Sequence, residues 1–350
     1  MKISPWTDTE EEKQEILDLT KKTFGPKTEI SNPAYFDWQY RYNPSGKAIV
    51  LLARDDSTNQ IIGTNTIVPM KLLIDGEIIT SSLGCNVQVH PDYQKKNFFT
   101  KLLLSMPKFG LEQKIESLFA IPNDNSFKAF INTGSIEITH LPLLIKPINF
   151  SQYFPSPIKE ITKPFDFLWK KNNHSMNNVE EFHGSFDDSF EKLVQKTNKR
   201  ISIMNNRTKE FLNWRYKNHP TRKYKIFILR ENNILNGYII TCIRNFQKKK
   251  IGVIVDYMVD SNYKDKIILK SLIDKALDNF RNNHVSLAIV TSQDGLIENK
   301  LLRGCGFFSP PSFLKPTSFH FIIQTFEDHK HTKLKKYDNW FFGFGDYDVF

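Results

Sequence analysis

Cysteine is scarce in this chain: Cys85, Cys242 and Cys305 are the only three in 350 residues, and no paired spacing links them. They support neither a disulfide framework nor a zinc site, and no metal is expected from them. Long apolar runs are also missing. No segment approaches the roughly 20 residues that a membrane helix needs, and Met1 to Trp6, followed by acids through Glu12, hold no apolar stretch of signal-peptide length. A cytoplasmic protein with no membrane insertion is expected.

What is present is enough for two packed domains, with 40% hydrophobic and 13% aromatic residues. The net charge of +10 is uneven: residues 1–150 carry 16 basic against 17 acidic residues, and the remainder 32 against 21. Clusters such as Arg222-Lys223, Lys248-Lys249-Lys250 and Lys335-Lys336 would suit a phosphorylated acceptor or a nucleic acid, although most such runs are solvated faces.

Periodicity predicts an amphipathic helix over Glu10–Phe24, ended by Gly25-Pro26, and a short aromatic helix from Asn32 to Pro44. Strands follow at Ala48–Ala53 and Ile61–Val68, then a pair, Met70–Ile74 and Glu77–Ser82, around Asp75-Gly76. Val87 and Val89 alternate into a further strand that ends at Pro91. A basic turn, Gln94-Lys95-Lys96-Asn97, then leads into the apolar helical run that starts at Phe98. Asparagine is the residue after glycine that most readily turns left-handed, and a helix start beside two lysines favours an anion. Pro107 should kink or end that helix. Next come a strand from Ser117 to Ile121, an Asn-rich turn in which Asn125 or Ser126 is a natural N-cap, and a short helix ended by Gly134.

The order His90-Pro91-Asp92-Tyr93-Gln94-Lys95-Lys96-Asn97-Phe98-Phe99-Thr100-Lys101-Leu102 resembles motif A of the GNAT superfamily of acyl-CoA-dependent N-acetyltransferases, with Asn97 where the family has glycine. The resemblance implies that backbone groups of Val87 and Val89 pair with the pantetheine arm of acetyl-CoA, the acyl donor. It further implies that the amides of Lys95, Lys96, Asn97, Phe98, Phe99 and Thr100 hold the pyrophosphate, that Gln94, which matches the motif's first Arg/Gln, belongs to the cofactor-binding set, and that Asn123 bonds the pantetheine. Many members place a proton-donating tyrosine where this chain has Phe130. The aromatic residues Phe36 and Trp38 are expected to wall the acceptor pocket, although a core role suits them equally.

Between Leu141 and Phe165 five prolines mark a linker, so the domains are expected at 1–150 and 151–350, with helices near 165–171 and 190–196. Beyond the linker the chain repeats itself: Trp38, Tyr40 and Pro44 recur 176 residues later as Trp214, Tyr216 and Pro220. The second copy has Asp260-Ser261-Asn262-Tyr263-Lys264-Asp265 at the turn, with acids where phosphate would sit, and is expected to be degenerate. The expected fold class is α/β (α+β), two GNAT-like domains, each a mixed, mostly antiparallel sheet flanked by helices.

The aromatic C-terminal stretch Trp340–Phe350 should be tied down as a final strand of the second domain. Likeness to tandem GNAT proteins of the enhanced-intracellular-survival type makes Asp346 or the Phe350 carboxylate candidate bases. The resemblance as a whole implies an N-acetyltransferase acting on a small-molecule primary amine, with a phosphorylated or nucleotide-linked amino sugar suiting the basic half. Two other readings stand beside it. One is aminoacyl transfer from tRNA, as in Fem-type ligases, which alone would involve nucleic acid; the other is a non-catalytic CoA-binding module.

Overall fold

The computed structural model describes residues 1–94, 97–149, 160, 178–197, 201–246, 249–260, 265–311, 319–327 and 331–347. The expected helix near 165–171 lies outside them. The first helix, Glu10–Phe24, has the expected bounds for local reasons: Thr9 caps it by accepting from Glu12 N, three glutamates fill its first turn, and Gly25 ends it at φ +98°. Its buried stripe includes Ile16, Leu17 and Leu19.

The first sheet runs β1 (Lys2–Pro5), β2 (Ile49–Arg54), β3 (Ile61–Ile74), β4 (Glu77–Val89) and β5 (Ser117–Ala120) before β6 (Ile136–His140) is reached. The four short strands expected between 61 and 90 are in fact two long ones, β3 and β4, paired antiparallel from Gly63↔Val89 to Ile74↔Glu77. Pro69 sits inside β3, opposite Ser82, and its carbonyl accepts from Asn43 Nδ2 at 2.7 Å. The helix Phe98–Glu112 likewise continues through Pro107.

The second sheet is built from β7 (Leu143–Pro147), β8 (Val179–Glu181), β10 (Lys225–Glu231), β11 (Ile234–Phe246), β12 (Lys249–Val259) and β13 (Leu287–Thr291), in the order β7-β13-β12-β11-β10-β8. Three strands of the second half belong to the first sheet instead: β9 (Ile203–Asn205), β14 (His320–Thr325) and β15 (Trp340–Phe341). β14 inserts between β5 and β6, whereas β7, which lies before residue 150, pairs with β13. The boundary expected at 150/151 therefore does not divide the sheets. Each half hands strands to the other because the partner's sheet, not sequence proximity, supplies the open edge. The final strand also corrects its expected place, since β15 pairs with β9 and β9 with β3.

The repeat is visible as a local two-fold relation. In each copy a short α-helical turn, Pro33–Phe36 or Lys209–Leu212, passes into a π-helical turn, Asp37–Arg41 or Asn213–Lys217. Trp38 and Trp214 stack with ring centroids 4.5 Å apart and 11° between planes. Each indole N–H donates to the other's backbone carbonyl at 2.8 Å. Both tryptophans are buried in the core that joins the halves.

Candidate functional site

β4 and β5 pair in parallel only through Ser81↔Ser117, Ser82↔Leu118 and Leu83↔Phe119, after which they separate. β5 ends at Ala120, while β4 continues to Val89 along β3. From Gly84 onward β4 therefore presents an edge with no strand partner on the β5 side among the described residues. A strand edge of this kind offers main-chain N–H and C=O groups to an extended ligand.

The same stretch of β4 contains a bulge. Thr64 pairs with Gln88 and Thr66 with Cys85, so two residues of β4 oppose one of β3. Asn86 takes the strain at φ +51° and is held by its side chain: Nδ2 donates to Gln39 Oε1 at 3.1 Å and to the Tyr40 hydroxyl at 2.9 Å. Bulges re-aim backbone groups, and both residues of this one, Asn86 and Val87, line the gap between the strands. Sequence reading missed Asn86, Gln39 and Tyr40 as a unit; an asparagine inside a strand was the one available signal. It also missed Gln88, a buried residue whose Nε2 donates to Thr20 Oγ1 at 2.9 Å while its Oε1 has no partner.

The helix Phe98–Glu112 begins at the mouth of the gap. Asn97 is left-handed at φ +57°, as its place in the turn predicts, and its side chain does not cap the helix. The N–H groups of the first turn are therefore offered outward together with the positive end of the dipole. Between helix and strands lies a cleft of about 880 Å³. Val87, Val89, Gln94, Asn97, Phe98, Phe99, Thr100 and Asn123 all line it. Lys95 and Lys96 lie outside the described residues.

Asn123, and not Asn125 or Ser126, caps the helix Asp124–Asn132: its Oδ1 accepts from the backbone N–H of both those residues at 3.1 Å. That use leaves the Nδ2 donor for a ligand. Phe130 is buried at the cleft wall, edge-on to Phe99, and supplies no proton. No Asp, Glu, His, Lys or Arg side chain lines the cleft among the described residues.

Three candidates are placed elsewhere. Phe36 packs in the core against Trp6 and Tyr40, and Trp38 is committed to Trp214, so neither walls the cleft. The physical reason is that large rings on a short helix between two sheets gain more from burial than from facing solvent. Asp346 is buried with both oxygens occupied: Oδ1 accepts from Asn205 Nδ2 and Arg207 Nη2, and Oδ2 from Arg207 Nη2 and Gly343 N. Arg207 also holds Asp256 at 2.9 Å. Burial alone would lower the Arg207 pKa, but Asp256 and Asp346 raise it well above the usual value. Burial raises the Asp256 pKa, against the pull of Arg207. Both oxygens of Asp346 are thus taken up by donors in the core, and Asp346 does not line the cleft. Phe350 lies outside the described residues.

In the second half β12 and β13 part in the same way after Val253↔Ile289. There the C-terminal segment takes the space, with Phe341 5.5 Å from Tyr257 and Gly343 against the Val255 carbonyl. In the first half the corresponding space is the open cleft.

A parted parallel strand pair, a bulged central strand and a helix start at the opening are the features of a GNAT-like fold. Residues 7–120 match the family profile described as acetyltransferase (GNAT) domain. No curated protein sequence matches the chain. Among solved structures, the chain is similar to a GCN5-related N-acetyltransferase from Anabaena variabilis, with TM-score 0.66, 14% identity, and coverage of 93% of this chain and 73% of that one. It is also similar to Saccharomyces cerevisiae N-myristoyltransferase with bound myristoyl-CoA, with TM-score 0.61, 13% identity, and coverage of 92% and 82%. A probable N-acyltransferase from Enterococcus faecalis gives TM-score 0.65 at 12% identity, with coverage of 93% and 73%. At these identities the likeness is one of fold. No helix among the described residues is long and apolar enough to cross a membrane.

Proposed function

We propose that the chain is an acyl-CoA-dependent N-acyltransferase that acetylates a primary amine of a small molecule or amino sugar by direct attack on the thioester. The observation that carries the reading is the cleft between β4 and β5, open along a strand edge and closed at its mouth by an uncapped helix start. Acetyl-CoA fits those features. The first-turn amides would hold the pyrophosphate beside Lys95 and Lys96, the β4 edge at Val87 and Val89 would hold the pantetheine, and Asn123 Nδ2 would add a donor. Main-chain N–H groups at the bulge are suited to stabilise negative charge on the thioester oxygen.

A short acyl group is favoured because Leu83, at the inner end of the cleft, also borders a cavity of only about 20 Å³, lined by Trp38, Met70 and Trp214 among others. That volume holds about one water and no alkyl chain. With no carboxylate or imidazole in the described lining, the amine gives up its proton to water before attack. The rate should then rise with pH toward the amine's own pKa, with no limb between about 4 and 7.

The test is calorimetry and melting with acetyl-CoA, followed by thiol release over a panel of amines. Acetyl-CoA at 100 times its Kd should stabilise the protein by about 2.7 kcal/mol. Replacing Lys95 and Lys96 by Gln should reduce that stabilisation, and myristoyl-CoA should bind more weakly than acetyl-CoA. Absence of any shift with millimolar acetyl-CoA would refute the assignment of the cleft. Binding without turnover of any amine would favour the CoA-binding module, which Phe130 already makes a reasonable second reading.

A further inference from the structure

On the outer edge of the first sheet, away from the cleft, β6 and β14 bring together two histidines and a glutamate. His140 faces His320 directly across the ladder. Strand alternation would put Glu137 on the opposite face from His140, three residues on, but the register shifts here. Phe321 pairs with Thr139 and Ile322 with Glu137, so Ile138 is the extra residue of a bulge. The bulge returns Glu137 to the face of the two histidines. Glu137 Oε1 lies 2.9 Å from His320 Nδ1 and 3.1 Å from His140 Nε2. One ligand atom from each of the three side chains lies within 4.8 Å of the others.

The far nitrogen of His320 is also occupied. Its Nε2 is 3.1 Å from Asp124 Oδ1, and Phe127 stacks on the ring with centroids 3.9 Å apart, fixing its plane. A histidine that points one nitrogen at a ligand cluster and donates the other N–H to a carboxylate has the outer arrangement typical of metal-bound imidazole. Ligands about 2.0–2.2 Å from a tetrahedral ion stand about 3.4 Å apart, close to the 2.9 and 3.1 Å that separate Glu137 Oε1 from the two imidazoles.

The geometry points to a divalent transition-metal site of the zinc class, ligated by Glu137 Oε1, His140 Nε2 and His320 Nδ1, with Asp124 as the outer partner of His320. Two imidazoles and one carboxylate suit Zn²⁺ or Co²⁺ and not Mg²⁺ or Ca²⁺. None of the four residues lines the cleft, so the ion is structural. It clips β14, which comes from the second half of the chain, to β6 and to the helix Asp124–Asn132 at the cleft wall.

The experiment uses the full chain without a histidine tag, stripped with chelator and titrated with Co²⁺ and with Zn²⁺. Calorimetry should give one equivalent, and Co²⁺ should show the intense visible absorption of a low-symmetry, four-coordinate site. His140→Ala, at a side chain 56% exposed, should fold normally and bind at least 100-fold more weakly. Asp124→Asn should weaken binding by about 10- to 100-fold while keeping the absorption. Glu137→Gln serves as a second ligand variant. Chelator should lower the melting temperature of the wild type and leave that of His140→Ala unchanged. If His320 merely hydrogen-bonds Glu137 and Asp124, no Co²⁺ spectrum will develop, and that result overturns the site. Equal affinity of wild type and His140→Ala overturns it as well.

Discussion

At position 97 the chain needs a left-handed residue, because the turn from the basic loop must present helix N–H groups to the cleft. Asparagine meets the need at φ +57° with a short polar side chain. Asn97→Gly should therefore leave stability within about 0.5 kcal/mol. Asn97→Val should cost about 1–3 kcal/mol, because a β-branched residue is strained there, and should weaken acetyl-CoA binding. Urea unfolding and calorimetry check both. The left-handed turn at Asn97 was legible in sequence because its role is local to a helix start, whereas the cap of the next helix was placed two or three positions beyond Asn123, which makes it. The partners of Asp346 and Trp38 were not legible, because Arg207 and Trp214 lie 139 and 176 positions away. No local pattern announces such pairs. The Glu137, His140 and His320 cluster was hidden for the same reason, and further by a bulge that breaks strand alternation.

Among elements, the repeated aromatic turn was readable as a repeat but not as a contact. The 176-residue offset predicts equivalent positions, and the structure shows that the equivalents meet face to face. Even the turn that follows is matched: Asn43 Oδ1 accepts from Ser45 N, and His219 Nδ1 from Thr221 N. Trp38→Ala and Trp214→Ala should each cost about 3–5 kcal/mol, as buried aromatic truncations do. The double variant should cost less than their sum by about 0.5–3 kcal/mol, since each single change already removes the shared stack. Additive losses in denaturant melts would mean that the stack is incidental. The traded strands β7 and β14 were not readable at all. A short apolar run shows that it will be a strand, but not which of two sheet edges will take it.

For the molecule as a whole, the strands exchanged between the sheets predict that the halves fold as one unit. A fragment of residues 1–150 lacks β14, which fills the space between β5 and β6, and should remain unfolded by circular dichroism, whereas two genuine domains would give a folded fragment. Between the halves lies His219, against Tyr35 and Trp38 on one side and Tyr224 on the other. Burial, with Arg215, Arg222 and Arg244 adding repulsion, lowers its pKa to about 2. The unfolded chain, with an ordinary value near 6.5, therefore binds one more proton at acid pH. His219's contribution to stability is complete above about pH 6.5 and falls by about 1.4 kcal/mol per unit below it, down toward pH 2. Denaturant titrations between pH 7 and 4.5 should show a shallower loss for His219→Gln than for the wild type.

The insertion of β14 also has a consequence in time. The ribosome completes β5 about 200 residues before it reaches β14, which at roughly 5–20 residues per second is an interval of about 10–40 s. Throughout that interval the nascent first sheet has a bare edge at β5, next to the strand that forms the wall of the cleft. The edge of β5 stays uncovered until β14 has been made. A pause introduced between the codons for residues 150 and 320 should therefore lower soluble yield, and the loss should be reversed by a chaperone that shields strand edges.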